Sequence, residues 1–81
     1  MTKETAVKLI HFYSSEFRAA GETDAVFTRV GDRWEALTDP GKDKAMRWLG
    51  FMQGASVSAG IFSLDEVKAH SLYAITMEKA S

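Results

Sequence analysis

A chain of 81 residues has room for one domain, and folding at this size buries roughly 60% of the surface the unfolded chain exposes. Its 46% apolar content excludes a disordered tract, and the absence of cysteine excludes disulfides and thiolate metal sites. Ten basic and eleven acidic side chains nearly cancel, which argues against both a non-specific nucleic-acid coat and a highly acidic DNA mimic.

The chain opens with polar, helix-forming Met1-Thr2-Lys3-Glu4, carries no secretory pattern and has no apolar run of membrane-spanning length. A cytoplasmic location is therefore expected.

The first predicted helix covers residues 5–20, where Ala6, Leu9/Ile10, Tyr13, Phe17 and Ala20 recur at helical spacing and Gly21 supplies the stop. Phe12 lies off that stripe; it either widens the buried face or stands in a contact surface. The second segment, 24–38, supports two readings. Phe27, Val30, Trp34 and Leu37 repeat as an apolar helix seam, with Thr23 as cap. The rival is a hairpin over 25–38, turning at Gly31-Asp32. A helix is preferred, although Gly31 inside it costs ~1 kcal/mol relative to alanine. Adjacent Val26 and Phe27 break strand alternation, and a lone two-stranded ribbon needs support.

Asp39 and Pro40 form the next break, as N-cap and first helical residue of a third helix that runs to about Ala59, with Gly60 as terminus. Around Arg47-Trp48-Leu49-Gly50-Phe51-Met52-Gln53-Gly54 this helix carries apolar groups on nearly every face, the pattern of a helix at the centre of a fold or covered by a partner. Ser63 and Glu66 have the spacing of a capping box that opens a fourth helix, with Leu64, Val67, Ser71/Leu72 and Ile75 as its buried stripe. The expected fold is all-α: one compact four-helix domain over 1–81, with the apolar third helix at its centre and short connections favouring antiparallel neighbours. The alternative is an α+β fold with the hairpin.

Few residues suggest chemistry. Gly50, Gly54 and Ser58 make a ridge of small residues on which another backbone can pack, either helix one or four or a second copy across a dimer seam. Trp34 and Trp48 are large for so small a core, and tryptophan and arginine are frequent interface anchors. Trp34, Arg47, Trp48, Phe51 and Gln53 are the candidate partner-binding residues, each with the plainer alternative of core packing or solvation. Buried, the Gln53 amide must be hydrogen-bonded, either to a neighbouring helix or to a partner.

His11 and His70 lack further ligands at metal spacing, and Glu66 with His70 has the spacing of a surface contact. Ser14-Ser15 has no adjacent base, and no glycine loop has a phosphate-binding pattern. No catalytic, cofactor or metal residue is assigned, and an enzyme is not expected. The turn around Gly60 invites comparison with a helix-turn-helix, but Asp65 and Glu66 at the start of the second helix would face phosphates unfavourably.

The string Thr38-Asp39-Pro40, Lys42, Lys44-Ala45, Arg47-Trp48-Leu49-Gly50-Phe51, Gln53-Gly54, then Gly60 and Leu64-Asp65-Glu66, resembles small uncharacterised proteins of phages, prophages and related mobile elements that share an Arg-Trp-Leu-Gly-Phe-x-Gln-Gly-like core. The resemblance covers about the C-terminal half. It implies a phage accessory role. The leading expectation is a protein of the host cytoplasm that binds a host or phage protein stoichiometrically, for example to inhibit a defence complex such as a CRISPR effector. A purely structural homodimer with the glycine ridge as its seam is a further reading. A small DNA-binding regulator using helices three and four is the alternative, although nucleic acid is the less favoured partner.

Overall fold

The computed structural model describes residues 1–30 and 41–80. Among these it holds four helices and no strand: α1 (Lys3–Ala19), α2 (Ala25–Thr28), α3 (Lys42–Ser58) and α4 (Leu64–Ala80). The all-α four-helix expectation holds. Residues 31–38, which would complete either the second helix or the hairpin, lie outside the described residues; 25–28 are helical.

Local chemistry explains the helix ends. The Thr2 hydroxyl accepts the Thr5 N–H at 3.2 Å and caps α1. At the other end Gly21, at φ 85°, permits a Schellman closure: its N–H reaches the Arg18 carbonyl and that of Glu22 reaches Phe17. Gly60, at φ 74°, closes α3 in the same way, through Gly60 N–H to Val57 and Ile61 N–H to Ser56. The capping box at α4 is complete: the Ser63 hydroxyl accepts the Glu66 N–H at 3.1 Å, and the Glu66 carboxylate accepts the Ser63 N–H at 2.9 Å.

Two starts differ from expectation. Asp24, not Thr23, caps α2, accepting the Val26 N–H at 2.9 Å, because the Glu22 carboxylate takes the N–H groups of both Thr23 and Asp24. Helix α3 begins at Lys42 with Gly41 in the N-cap position and no side-chain cap; Asp39 and Pro40 lie outside the described residues.

The hub of the packing is α1. It buries Ala6, Ile10, Tyr13, Ser14 and Phe17, and it touches each of the other three helices. Helix α3 makes the largest contact with α1, yet it buries only the stripe Ala45, Leu49, Met52 and Ser56. The expectation that α3 is enclosed on most sides is therefore corrected. The molecule is a slab with Cα extents of 33 × 32 × 18 Å, and the thin dimension holds about two layers of helices of 10–12 Å diameter. In such a slab every helix keeps one face to water.

Helix α4 runs antiparallel to α1, with Glu78 beside Thr2 and His70 beside Tyr13. It also returns antiparallel along α3, where Gln53 meets Ser71. It buries only Val67; Leu64 and Leu72, expected inside, are 56% and 67% exposed. Its hold on the body combines Val67 and the ring contacts of His70 with a few polar bonds.

Candidate functional site

On α3, Lys44, Arg47, Trp48 and Phe51 occupy positions i, i+3, i+4 and i+7, one face of a helix. They line a shallow depression of about 230 Å³. Trp48 meets Phe51 edge to face, with ring centroids 5.6 Å apart. Phe51 is 47% exposed and stacks on Phe27 of α2 at 5.7 Å; Phe27 stacks in turn on buried Phe17 at 4.9 Å. A ladder of rings thus fixes an exposed aromatic to the core. Asp24 holds the turn that presents Phe27, and the Arg18 guanidinium, which donates to the Thr28 carbonyl and to Ser15 Oγ, ties that turn to α1.

The Lys44 and Arg47 side chains are exposed and make no hydrogen bond or ion pair with the described residues. Three of the expected partner-binding residues, Arg47, Trp48 and Phe51, are therefore brought together. Trp34 lies outside the described residues.

Gln53 is not part of this face. Two residues past Phe51, it is turned about 200° around the helix. Its Nε2 donates to Ser71 Oγ at 2.8 Å and lies 3.4 Å from the Tyr13 hydroxyl. That hydroxyl is 2.9 Å from His70 Nδ1. The phenol oxygen has room to accept from Gln53 while it shares a hydrogen bond with Nδ1, whose direction is set by the imidazole tautomer. The network joins α1, α3 and α4. Burial raises the Tyr13 pKa, opposed by the Gln53 hydrogen bond, so the phenol stays neutral across the physiological range. His70 is not the surface partner of Glu66 that its spacing suggested. It sits in an aromatic box, 4.7 Å from the Phe62 ring and 5.2 Å from that of Phe12, which settles the role of Phe12 as a wall of this box.

Among the described residues the glycine ridge does not serve close packing. A Cβ added at Gly50 or Gly54 would meet nothing within 4 Å, and Ser58 is exposed. The physical reason is the loose seating of α4. It approaches α3 at Val67 and Ser71 and leaves an open groove of about 510 Å³ whose walls include Gly50, Gly54, Val57 and Leu64. A second groove of about 750 Å³ separates α4 from α1, lined by Leu9, Phe12, His70, Tyr73, Ala74 and Met77. The exposed apolar groups of α4 are the feature that reading the sequence missed. The available signal was the spread of Leu64, Leu72, Tyr73, Ile75 and Met77 around the helix, wider than one packed face can cover.

At the α3–α4 corner, Asp65 and Glu66 stand exposed in the first turn of α4, with Lys68 the nearest cation on that helix. Among the described residues no group of three His, Cys, Asp or Glu side chains could hold a metal ion, and no helix is long and apolar enough to cross a membrane. Comparison with protein-family models, curated proteins and solved structures finds no match.

Proposed function

We propose that this protein acts by stoichiometric protein–protein binding, with the Lys44–Arg47–Trp48–Phe51 face of α3 as the contact. The observation that carries the reading is the pairing of two cations, without an ion pair among the described residues, with two aromatic rings, one of them half exposed and braced from the core by Phe27. Rigid aromatics lose little conformational freedom on binding, and arginine and tryptophan dominate binding energy at interfaces. The cations favour an acidic, partly apolar patch on the partner. Two cations on a chain of net charge −1 make a short contact rather than a track for a phosphate backbone.

In the setting implied by the resemblance to mobile-element accessory proteins, the partner is a host or phage protein complex. The mode of action is occlusion of that complex's surface, with inhibition of a defence complex such as a CRISPR effector as one outcome.

The test is affinity capture from infected or host-cell extract with wild-type protein, Arg47→Glu and Phe51→Ser in parallel. The expected result is one complex held in stoichiometric amount by wild type and lost with both variants, while their circular dichroism is unchanged. Retention by both variants, or recovery of DNA alone, overturns the reading.

A further inference from the structure

We propose that α4 is a self-association seam, on which a second copy of this chain packs antiparallel about a two-fold axis near Leu72. Among the described residues seven large apolar side chains are exposed, and four belong to this one helix: Leu72 on its outward ridge, with Tyr73 and Met77 bordering the groove toward α1 and Leu64 the groove toward α3. The outermost ridge of α4 is Asp65, Ala69, Leu72, Thr76 and Lys79, all exposed. Asp65, Leu72 and Lys79 are seven residues apart, a spacing that keeps them on one face with a drift of only ~20° per heptad.

The charges on this ridge select a second copy as its occupant. Asp65 and Lys79 lie seven residues on either side of Leu72, and neither makes a hydrogen bond or ion pair with the described residues. A two-fold axis at Leu72 places Asp65 of each copy opposite Lys79 of the other, so that two ion pairs flank an apolar centre. A parallel arrangement would set like charges together at both ends. Ala69 and Thr76 are small and leave space beside Leu72 for the partner's Leu72 and Tyr73. Two-fold pairing of one self-complementary patch is the commonest symmetry of soluble oligomers, and a thin core gains stability from such association. This seam is distinct from the glycine ridge, because Gly50 and Gly54 open into the groove between α3 and α4. It also leaves the Arg47 face free: Phe51 leans on α2, whereas α4 meets α3 through Gln53.

Sedimentation equilibrium up to millimolar concentration tests the seam. The expected result is twice the chain mass for wild type, dissociating on dilution. Leu72→Lys should raise the dimer Kd by about tenfold or more, since it sets two charges in the desolvated centre. Asp65→Lys and Lys79→Asp should each weaken the dimer, and the combined exchange should restore it. A wild type that stays monomeric, a dimer indifferent to Leu72→Lys, or an exchange that restores nothing overturns the proposal.

Covalent trapping gives an answer that does not depend on a disruptive variant. The chain has no cysteine, so Leu72→Cys introduces a single thiol on the axis. Oxidation should crosslink Leu72→Cys to the dimer and leave Ser58→Cys, on the glycine ridge, monomeric. Crosslinking of Ser58→Cys alone would place the seam on α3 and defeat the α4 assignment.

Discussion

The hydroxyl of Tyr13 on α1 lies 2.9 Å from Nδ1 of His70 on α4, and this bond is a main tie between a helix that is the hub of the fold and one that buries a single side chain. Removing the hydroxyl with Tyr13→Phe leaves Nδ1 without its partner and deprives Gln53 of one acceptor. The expected cost is about 1–2 kcal/mol in urea unfolding. Stability should also fall in alkali. The folded pKa of Tyr13 is raised above 10.0, so its contribution is complete below that value and is lost as pH rises toward the folded pKa. Tyr13→Phe should flatten this alkaline limb; an unchanged slope would remove Tyr13 as its origin.

Glu78 fastens the other end of α4. Its carboxylate accepts the Thr2 N–H at 2.6 Å and the Thr2 hydroxyl at 3.1 Å, and lies 3.8 Å from the N-terminal ammonium. Hydrogen bonding, from Thr5 first and then from the Thr2 backbone, lowers its pKa from 4.5 to about 2. A depressed carboxylate stabilises the fold above its unfolded pKa, so the clasp should weaken as pH falls from 4.5 toward about 2. Helicity monitored through an acid titration should show this loss in wild type and a shallower one in Glu78→Gln.

Gly50→Ala and Gly54→Ala should each stabilise the isolated chain by up to about 1 kcal/mol. Both positions are helical with open space where a methyl would go, and alanine restricts the unfolded chain. A drop in thermal midpoint for Gly54→Ala would show that something packs on the ridge after all.

Ser63→Ala removes the hydroxyl that accepts the Glu66 N–H at the start of α4. The expected loss is about 1 kcal/mol, with amide exchange in the first turn of α4 rising before that of α1. Ser63→Asp should recover most of the stability, because a carboxylate can accept the same N–H and suits the helix dipole.

The parts of the fold legible in the sequence are those governed by neighbours in the chain. Gly21 and Gly60 mark their helix ends because each closure needs a positive φ within a few residues, and the Ser63–Glu66 box needs only its own spacing. The α1 stripe is legible because one face of that helix is consistently apolar. On α3, by contrast, Met46 and Phe51 look as apolar as Leu49 and Met52, and only the slab geometry decides that the latter pair is covered. Leu72 has the same limitation: burial depends on where α4 settles, and α4 settles on Val67 and a polar network. Gln53 illustrates both sides. Its need for an internal partner follows from its surroundings, but Ser71 and Tyr13 lie eighteen and forty positions away in the chain. For the candidate site, Arg47, Trp48 and Phe51 are legible as a group, whereas the ring of Phe27 that braces them comes from a different helix.

The slender attachment of α4 has a kinetic corollary. A helix fastened by Val67, the His70 ring in its aromatic box, one amide and one terminal clasp has far fewer ties than α1 and α3, which pack through Ile10, Phe17, Leu49 and Met52. Helix α4 is therefore the element expected to open first. Such an opening needs no global unfolding and would uncover the inner wall of Tyr13, Phe12 and Phe62 to solvent. The chain would then have a partly opened form, rare at rest, in which these three rings become briefly reachable.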